Sequence, residues 1–192
     1  IDVDSLLVVS DDGSPRGPVR ISLATSSTGG APEDAAAELM ADRVRAGQQV
    51  LTFVPSRRLA EKVARTAAQR AGPSCGDVVA YRAGYLATDR RAIERGLNDG
   101  SVRGVAATNA LELGVDIAGL DTVVLCGYPG QRAAFWQQAG RAGRRGGSAE
   151  VMLIARPNPV DAYLLDHPDH LFDLPVEAPA LDPDAAAVLG PH

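Results

Sequence analysis

Between residues 49 and 155 the chain alternates between two hydrophobic periods, and this alternation limits its fold more than any other feature. QVLTFV (49–54), GDVVAY (76–81), VRGVAAT (102–108), DTVVLCG (121–127) and SAEVMLIA (148–155) are short apolar runs of strand length. SRRLAEKVARTAAQRAG (56–72) puts Leu59, Ala60, Val63, Ala64 and Ala67 on one helical face and its charges on the other. TDRRAIERGLNDG (88–100) reads as a helix with Thr88 as candidate N-cap and Gly100 as its stop. QRAAFWQQAGRAGR (131–144) reads as another helix. Upstream, SLLVVS (5–10) and VRISLAT (19–25) read as strands. PEDAAAELMADRVRAG (32–47) reads as a helix opened by Pro32 and acidic residues and closed by Arg43, Arg45 and Gly47.

Strands alternating with helices predict an α/β sandwich. Short strands unbroken by charge predict a parallel sheet covered on both faces. Ligands of such sheets bind beyond the carboxyl ends of the strands. The segments there are PSRR (55–58), YRAGYLATDRR (81–91), TNALELGVD (108–116) and GYPGQR (127–132), which hold most of the unusual residues. From Arg156 onward seven prolines interrupt the chain. A short helix at 158–166 is expected there, with the remainder extended.

The net charge of −5 argues against nucleic acid only until its distribution is read. Residues 1–46 carry 4 basic and 8 acidic groups, residues 47–156 carry 15 and 9, and residues 157–192 carry 0 and 7. The positive charge is therefore concentrated in the α/β core. Nearly all of it is arginine, whose planar fork suits bidentate phosphate contacts. A GC-rich genome would give the same bias.

Several chemistries find no support. No GxxxxGK[ST] loop is present, and the only lysine, Lys62, lies in a helical pattern, so the chain carries no phosphate cradle of that kind. The three histidines all lie in the tail; HPDH reads as solvated tail before metal site, and no metal is expected. Without a histidine in the core, no Ser-His-Asp or Cys-His constellation can be assembled. Cys75 and Cys126 read as reduced thiols, with a single disulfide as the minor alternative. No run reaches the length of a membrane span, and no basic start marks a signal peptide. A cytoplasmic protein is expected, and the missing initiator Met suggests a fragment.

QQAGRAGRRGG (137–147) is costly as helix, since a glycine costs about 1 kcal/mol relative to alanine there. As a helix it would bring Gln137, Arg141 and Arg144 to one face, where they could reach phosphates on a facing surface. An arginine-rich, solvated helix end is the plainer reading, and this stretch alone does not decide between them.

The order of these segments resembles the second RecA-like domain of superfamily 2 helicases. QVLTFVPSRRLAEKV is similar to their motif IV, GVAATNALELGVDI to motif V, and QQAGRAGR to motif VI, of the form Q-x-x-G-R-x-G-R. YRAGYL, ATNALELGVDI and FWQQAGRAGRRG narrow the resemblance to the MrfA-type 3′→5′ DNA helicases, which carry a C-terminal zinc-binding domain. That cysteine cluster is absent from this chain. DPDAAAVLGPH departs from the family's more aromatic continuation.

The resemblance implies a RecA-like parallel-sheet, three-layer sandwich. Residues 1–30 would be the junction after a first motor domain, 31–156 the helicase C-terminal domain, and 157–192 an acidic, Pro-rich tail leading to further domains. Arg144 would be the arginine finger and Arg141 its support. Gln137, Gly114 and Asp116 would lie at the nucleotide. Ser56, Arg57, Gly84, Thr108 and Asn109 would touch the nucleic-acid backbone. The implied cofactor is ATP with Mg²⁺, whose ligands come mainly from the first motor domain of the same polypeptide. The implied partner is a single-stranded DNA track, and the role is in DNA repair.

Plainer readings stand beside these. Asp116 could cap a turn. Thr108 could cap the turn that follows it. Arg57 and Arg58 could be a solvated helix start. Phe135 and Trp136 read as packing residues before a base-stacking platform. A non-catalytic nucleic-acid-binding module or a double-stranded DNA translocase are the alternative functions.

Overall fold

Side-chain alternation along the central strand β2 (Val50–Phe53) sends Leu51 and Phe53 to one face of a sheet and Val50 to the other. Every residue of β2 is buried, as a strand covered on both faces requires. The computed structural model describes residues 17–26, 30–81, 86–108, 120–143 and 147–177. With β2 go β1 (Val19–Ala24), β3 (Asp77–Tyr81), β4 (Val102–Ala107), β5 (Thr122–Cys126) and β6 (Ala149–Ile154). They form one six-stranded sheet of order β1-β6-β5-β2-β4-β3, and every pairing is parallel. This is the three-layer, parallel-sheet α/β fold expected from the sequence.

The two faces are filled differently. One is covered by α1 (Pro32–Arg45) and α2 (Arg57–Ala71). They pack through small side chains, including Ala36, Ala37, Ala41, Ala60, Ala64 and Ala67, with Met40, Val44 and Val63 filling the remaining space. The other face holds the large side chains Phe53, Tyr81 and Phe135. It is covered by α3 (Ala87–Asp99), α4 (Arg132–Ala139), α5 (Pro159–Asp166) and α6 (Asp169–Phe172). Few aromatics suffice because the alanine-rich layer needs none.

Three boundaries differ from expectation. First, α4 stops at Ala139, short of residue 144. The chain leaves the helix because Ala142 pairs in parallel with Leu120, and Gly143, at φ +81°, donates its N–H to the Leu120 carbonyl at 3.1 Å. Second, Thr88 does not cap α3. Leu86 occupies that position, with its carbonyl accepting from the N–H groups of Asp89 and Arg90, so Thr88 lies inside the first turn. Third, the tail is not merely extended beyond α5. The short helix α6 forms because Leu171 is wholly buried in the core, and Phe172 packs edge-on to Phe135 and Trp136 at centroid distances of 6.5 and 6.3 Å. The expected strand at 5–10 lies outside the described residues.

Leu171→Ala should therefore cost about 2–5 kcal/mol in urea unfolding of this chain. Leu174→Ala, three residues on and 44% exposed, should stay within about 0.5 kcal/mol. Equal effects would show that the tail is not docked.

Candidate nucleotide and nucleic-acid interface

Because every strand runs the same way, the segments following β6, β5, β2 and β4 line one edge in that order. They are Ala155–Arg156, Gly127–Gly130, Val54–Arg57 and Thr108. The segment after β2 turns directly into α2. Ser56 is its N-cap: its Oγ accepts the N–H of Leu59 at 3.3 Å. Arg57 and Arg58 follow, both exposed, and the first turn of α2 has no acidic residue. Arginines at a helix N-terminus oppose the macrodipole. Helix stability therefore does not account for them, whereas an anion at this end would be favoured by both the helix and the guanidinium groups. By contrast, α1 begins with Glu33 and Asp34, and both pair with Lys62 Nζ, at 3.5 and 2.7 Å.

A cavity of about 170 Å³ opens beside this turn, lined by residues that include Pro55, Cys126, Tyr128, Gln138 and Arg156. Its shape depends on Gly127, which has φ +94°. A Cβ there would stand 2.5 Å from Arg156 Cδ and 2.8 Å from Cγ, so only glycine lets the arginine stem lie across the strand end. Underneath sits Asp161, 3% exposed. Its Oδ2 accepts the backbone N–H of Arg156 at 2.7 Å and of Tyr128 at 3.2 Å, clamping the loops after β6 and β5 together. Asn158 caps α5 and fixes that carboxylate, its Oδ1 accepting from Val160 and Asp161 N–H at 3.0 and 2.9 Å. Burial pushes the Cys126 thiol up to about 12, so it is a neutral wall of the cavity at physiological pH and no nucleophile. Burial likewise raises the Tyr128 phenol, with Glu177 adding to it.

Gln137 is exposed near the end of α4, while its neighbour Gln138 is 2% exposed and faces the cavity. Arg141 lies past the helix end and is 8% exposed, so it is not part of a solvated helix end. The early stop of α4 means that Gln137 and Arg141 do not share a helical face. Phe135 is wholly buried, as a packing residue should be; Trp136 is 38% exposed and packs edge-on to Phe135 at 5.2 Å. Thr108 directly follows β4 and is half-buried. Gly84, Asn109, Gly114, Asp116 and Arg144 lie outside the described residues. Cys75 and Cys126 are both free thiols. Among the described residues, no three His, Cys, Asp or Glu side chains converge as metal ligands, and no helix is long and apolar enough to cross a membrane.

The tail contributes a second device that the sequence reading missed. Glu177 caps α4: its carboxylate accepts the N–H groups of Arg132 and Ala133 at 3.0 and 3.1 Å and pairs with Arg132 Nε at 3.6 Å. Arg132 Nε also donates to the Pro175 carbonyl at 2.8 Å. Only the long-range pairing reveals this cap, since Gln131, the residue in the N-cap position, makes no side-chain cap bond.

A larger cavity, about 300 Å³, lies at the opposite, amino edge of the sheet among Gly47, Gln49, Asp99, Arg103 and Asp121. Its polar groups largely satisfy one another. Arg103 donates to the Gly47 carbonyl, the Gln49 N–H donates to Asp121, and the Ser101 N–H donates to Asp99. Parallel sheets bind ligands at the other edge.

The single parallel sheet with these carboxyl-edge loops defines a RecA-like domain. The chain belongs to the helicase conserved C-terminal domain family, whose model matches residues 32–146. It is 48% identical over 112 residues to the ATP-dependent helicase YprA of Bacillus subtilis, covering 58% of this chain and 15% of that protein. It is 48% identical over 98 residues to the ATP-dependent helicase HRQ1 of Saccharomyces cerevisiae, covering 51% of this chain and 9% of that protein. The fold matches the crystal structure of the DUF1998 helicase MrfA bound to DNA, with a TM-score of 0.84, 34% identity, and coverage of 93% of this chain and 25% of that one. The MrfA structure bound to DNA and AMPPNP matches with a TM-score of 0.83 at 35% identity, covering 94% of this chain and 26% of that one. The chain thus spans between 9% and 26% of these relatives' length.

The carboxyl group of Glu177 is held below the usual glutamate range, first by the Arg132 N–H. A depressed folded pKa means that its stabilising effect is present above the unfolded value, about 4.3, and is lost as pH falls through the folded value. The amide resonances of Arg132 and Ala133 should titrate with a midpoint below about 4.3, and the titration should vanish in Glu177→Gln. A midpoint at or above that value would remove the cap.

Proposed function

We propose that this chain is the second motor domain of an ATP-dependent DNA helicase, moving 3′→5′ and acting in DNA repair. The observation that carries the reading is the exposed Arg57–Arg58 pair at the acid-free N-terminus of α2, set among strand-end loops on the edge where parallel sheets bind ligands. Support comes from the relatives: YprA and HRQ1 are ATP-dependent helicases, and the MrfA structures hold DNA, one of them with AMPPNP.

In this reading Ser56, Arg57, Gly84, Thr108 and Asn109 form part of a single-stranded DNA track. Hydroxyls, backbone N–H groups and arginines bind phosphates without reading sequence, which a translocating motor needs. Gln137 presents its amide at the exposed end of α4, Arg141 lies past the helix end, and Arg144 comes three residues later in the sequence. That donor set fits the phosphates of a nucleoside triphosphate held mainly by another domain. Gly114 and Asp116 would complete this half of the site. ATP, with Mg²⁺ bound chiefly by the first motor domain of the same polypeptide, would supply a hydrolysable phosphoanhydride. Arg144 would act as the arginine finger, a role worth about 10³–10⁵ in rate in other nucleotide hydrolases, with Arg141 in support.

Residues 31–156 would form the motor domain proper, residues 1–30 the junction from the first motor domain, and residues 157–192 the lead into further domains. Within those flanks β1, α5 and α6 are packed against the rest of the sheet and core. The cytoplasm is the compartment this reading implies.

The isolated 192-residue chain should hydrolyse no ATP; steady turnover by the pure chain would contradict the half-site assignment. In the full-length protein Arg144→Ala should abolish turnover, by about 10³-fold or more, while ATP binding persists. Loss of binding alone would show that the finger is misassigned.

A further inference from the structure

The described residues expected to touch DNA, Ser56, Arg57 and Thr108, follow β2 and β4, on one side of the sheet's carboxyl edge. The loop after β6 lies on the other side, two strand spacings from β2, or roughly 10 Å. It presents Arg156, which is exposed and which makes no side-chain hydrogen bond or ion pair among the described residues. The chain nevertheless holds it firmly. Its stem lies across Gly127, whose positive φ and missing Cβ make room for it, and its backbone N–H is fixed by the buried Asp161 carboxylate at 2.7 Å. A guanidinium on a fixed base, without a partner among the described residues, has little freedom left to lose on binding. Asp161 does not cancel its charge at the surface: that carboxylate is 3% exposed and its Oδ2 is occupied by two backbone N–H groups.

We propose that Arg156 binds a backbone phosphate of single-stranded DNA, extending the track from β2 across β5 to β6, with Asp161 as its positioning residue. The proposal rests on the DNA-motor reading above and adds to it a contact on the far side of the sheet. Arginine suits the task because its fork can take two phosphate oxygens at once. The contact would be indifferent to base identity.

The test uses the full-length protein and a fluorescent oligo(dT) strand, with affinity measured between about 50 and 200 mM salt. Arg156→Met keeps the stem over Gly127 and removes the charge. It should weaken binding about tenfold, the loss of one charge-assisted hydrogen bond. It should also reduce the slope of log K against log salt by about 0.7, the loss of one phosphate contact on a single strand. Arg156→Lys should keep the slope, and oligo(dA) should show the same change. Arg57→Ala is the comparator. If Arg57→Ala weakens binding while Arg156→Met keeps the parent affinity and slope, the proposal is overturned and the DNA reading stands. If the unaltered protein binds no single-stranded DNA, both fall together.

Discussion

The structure depends on one constraint: its strands are parallel and buried on both faces. A parallel strand cannot return through a hairpin, so each connection must cross a face of the sheet, and helices do this. The connections therefore deliver every strand-end loop to a single edge. Sequence-distant segments become neighbours there: Ala155–Arg156 beside Gly127–Gly130, and those beside Val54–Arg57. Arg57, Arg58 and Arg156, distant in the sequence, come to this one edge because the fold gathers its loops there.

The acidic tail takes part in that edge. Two of its carboxylates act on backbone N–H groups: Asp161 clamps the loops after β5 and β6, and Glu177 caps the helix that carries Gln137. Both depend on burial further along, where Leu164 and Leu171 seat α5 and α6 on the sheet face. Asp161, 3% exposed with its Oδ2 taken by two N–H groups, sits close to this edge without presenting its charge to it, whereas Glu177 is exposed. A net charge of −5 is therefore compatible with the phosphate-binding role proposed for this edge.

The strands were legible because burial on both faces leaves an uninterrupted apolar run, as in Val50–Phe53 and Thr122–Cys126. Helix ends were legible where glycine takes a positive φ, as at Gly47, Gly72 and Gly100. Three features were not legible because their partners are remote, the Glu177 cap of α4 among them. The helix α4 ends where it does because Ala142 pairs with Leu120, which local periodicity cannot reveal. Asp161 looked like one more acid in an acidic tail, since its carboxylate meets an N–H 33 residues away. The motif pattern singled out Gln137, while the cavity is lined by Gln138; consecutive helical positions point in different directions. Of the expected site residues, Ser56 proved to have a structural duty as well, capping α2 while standing on the proposed track.

The proposed function resides at the carboxyl edge, although the larger of these two cavities lies at the amino edge. The most direct measurement is hydrogen exchange of the full-length protein with and without single-stranded DNA. Added protection is expected in residues 54–59, 127–129 and 155–157, with residues 47–49 and 98–103 unchanged. Protection confined to residues 47–49 and 98–103, around the amino-edge cavity, would contradict it.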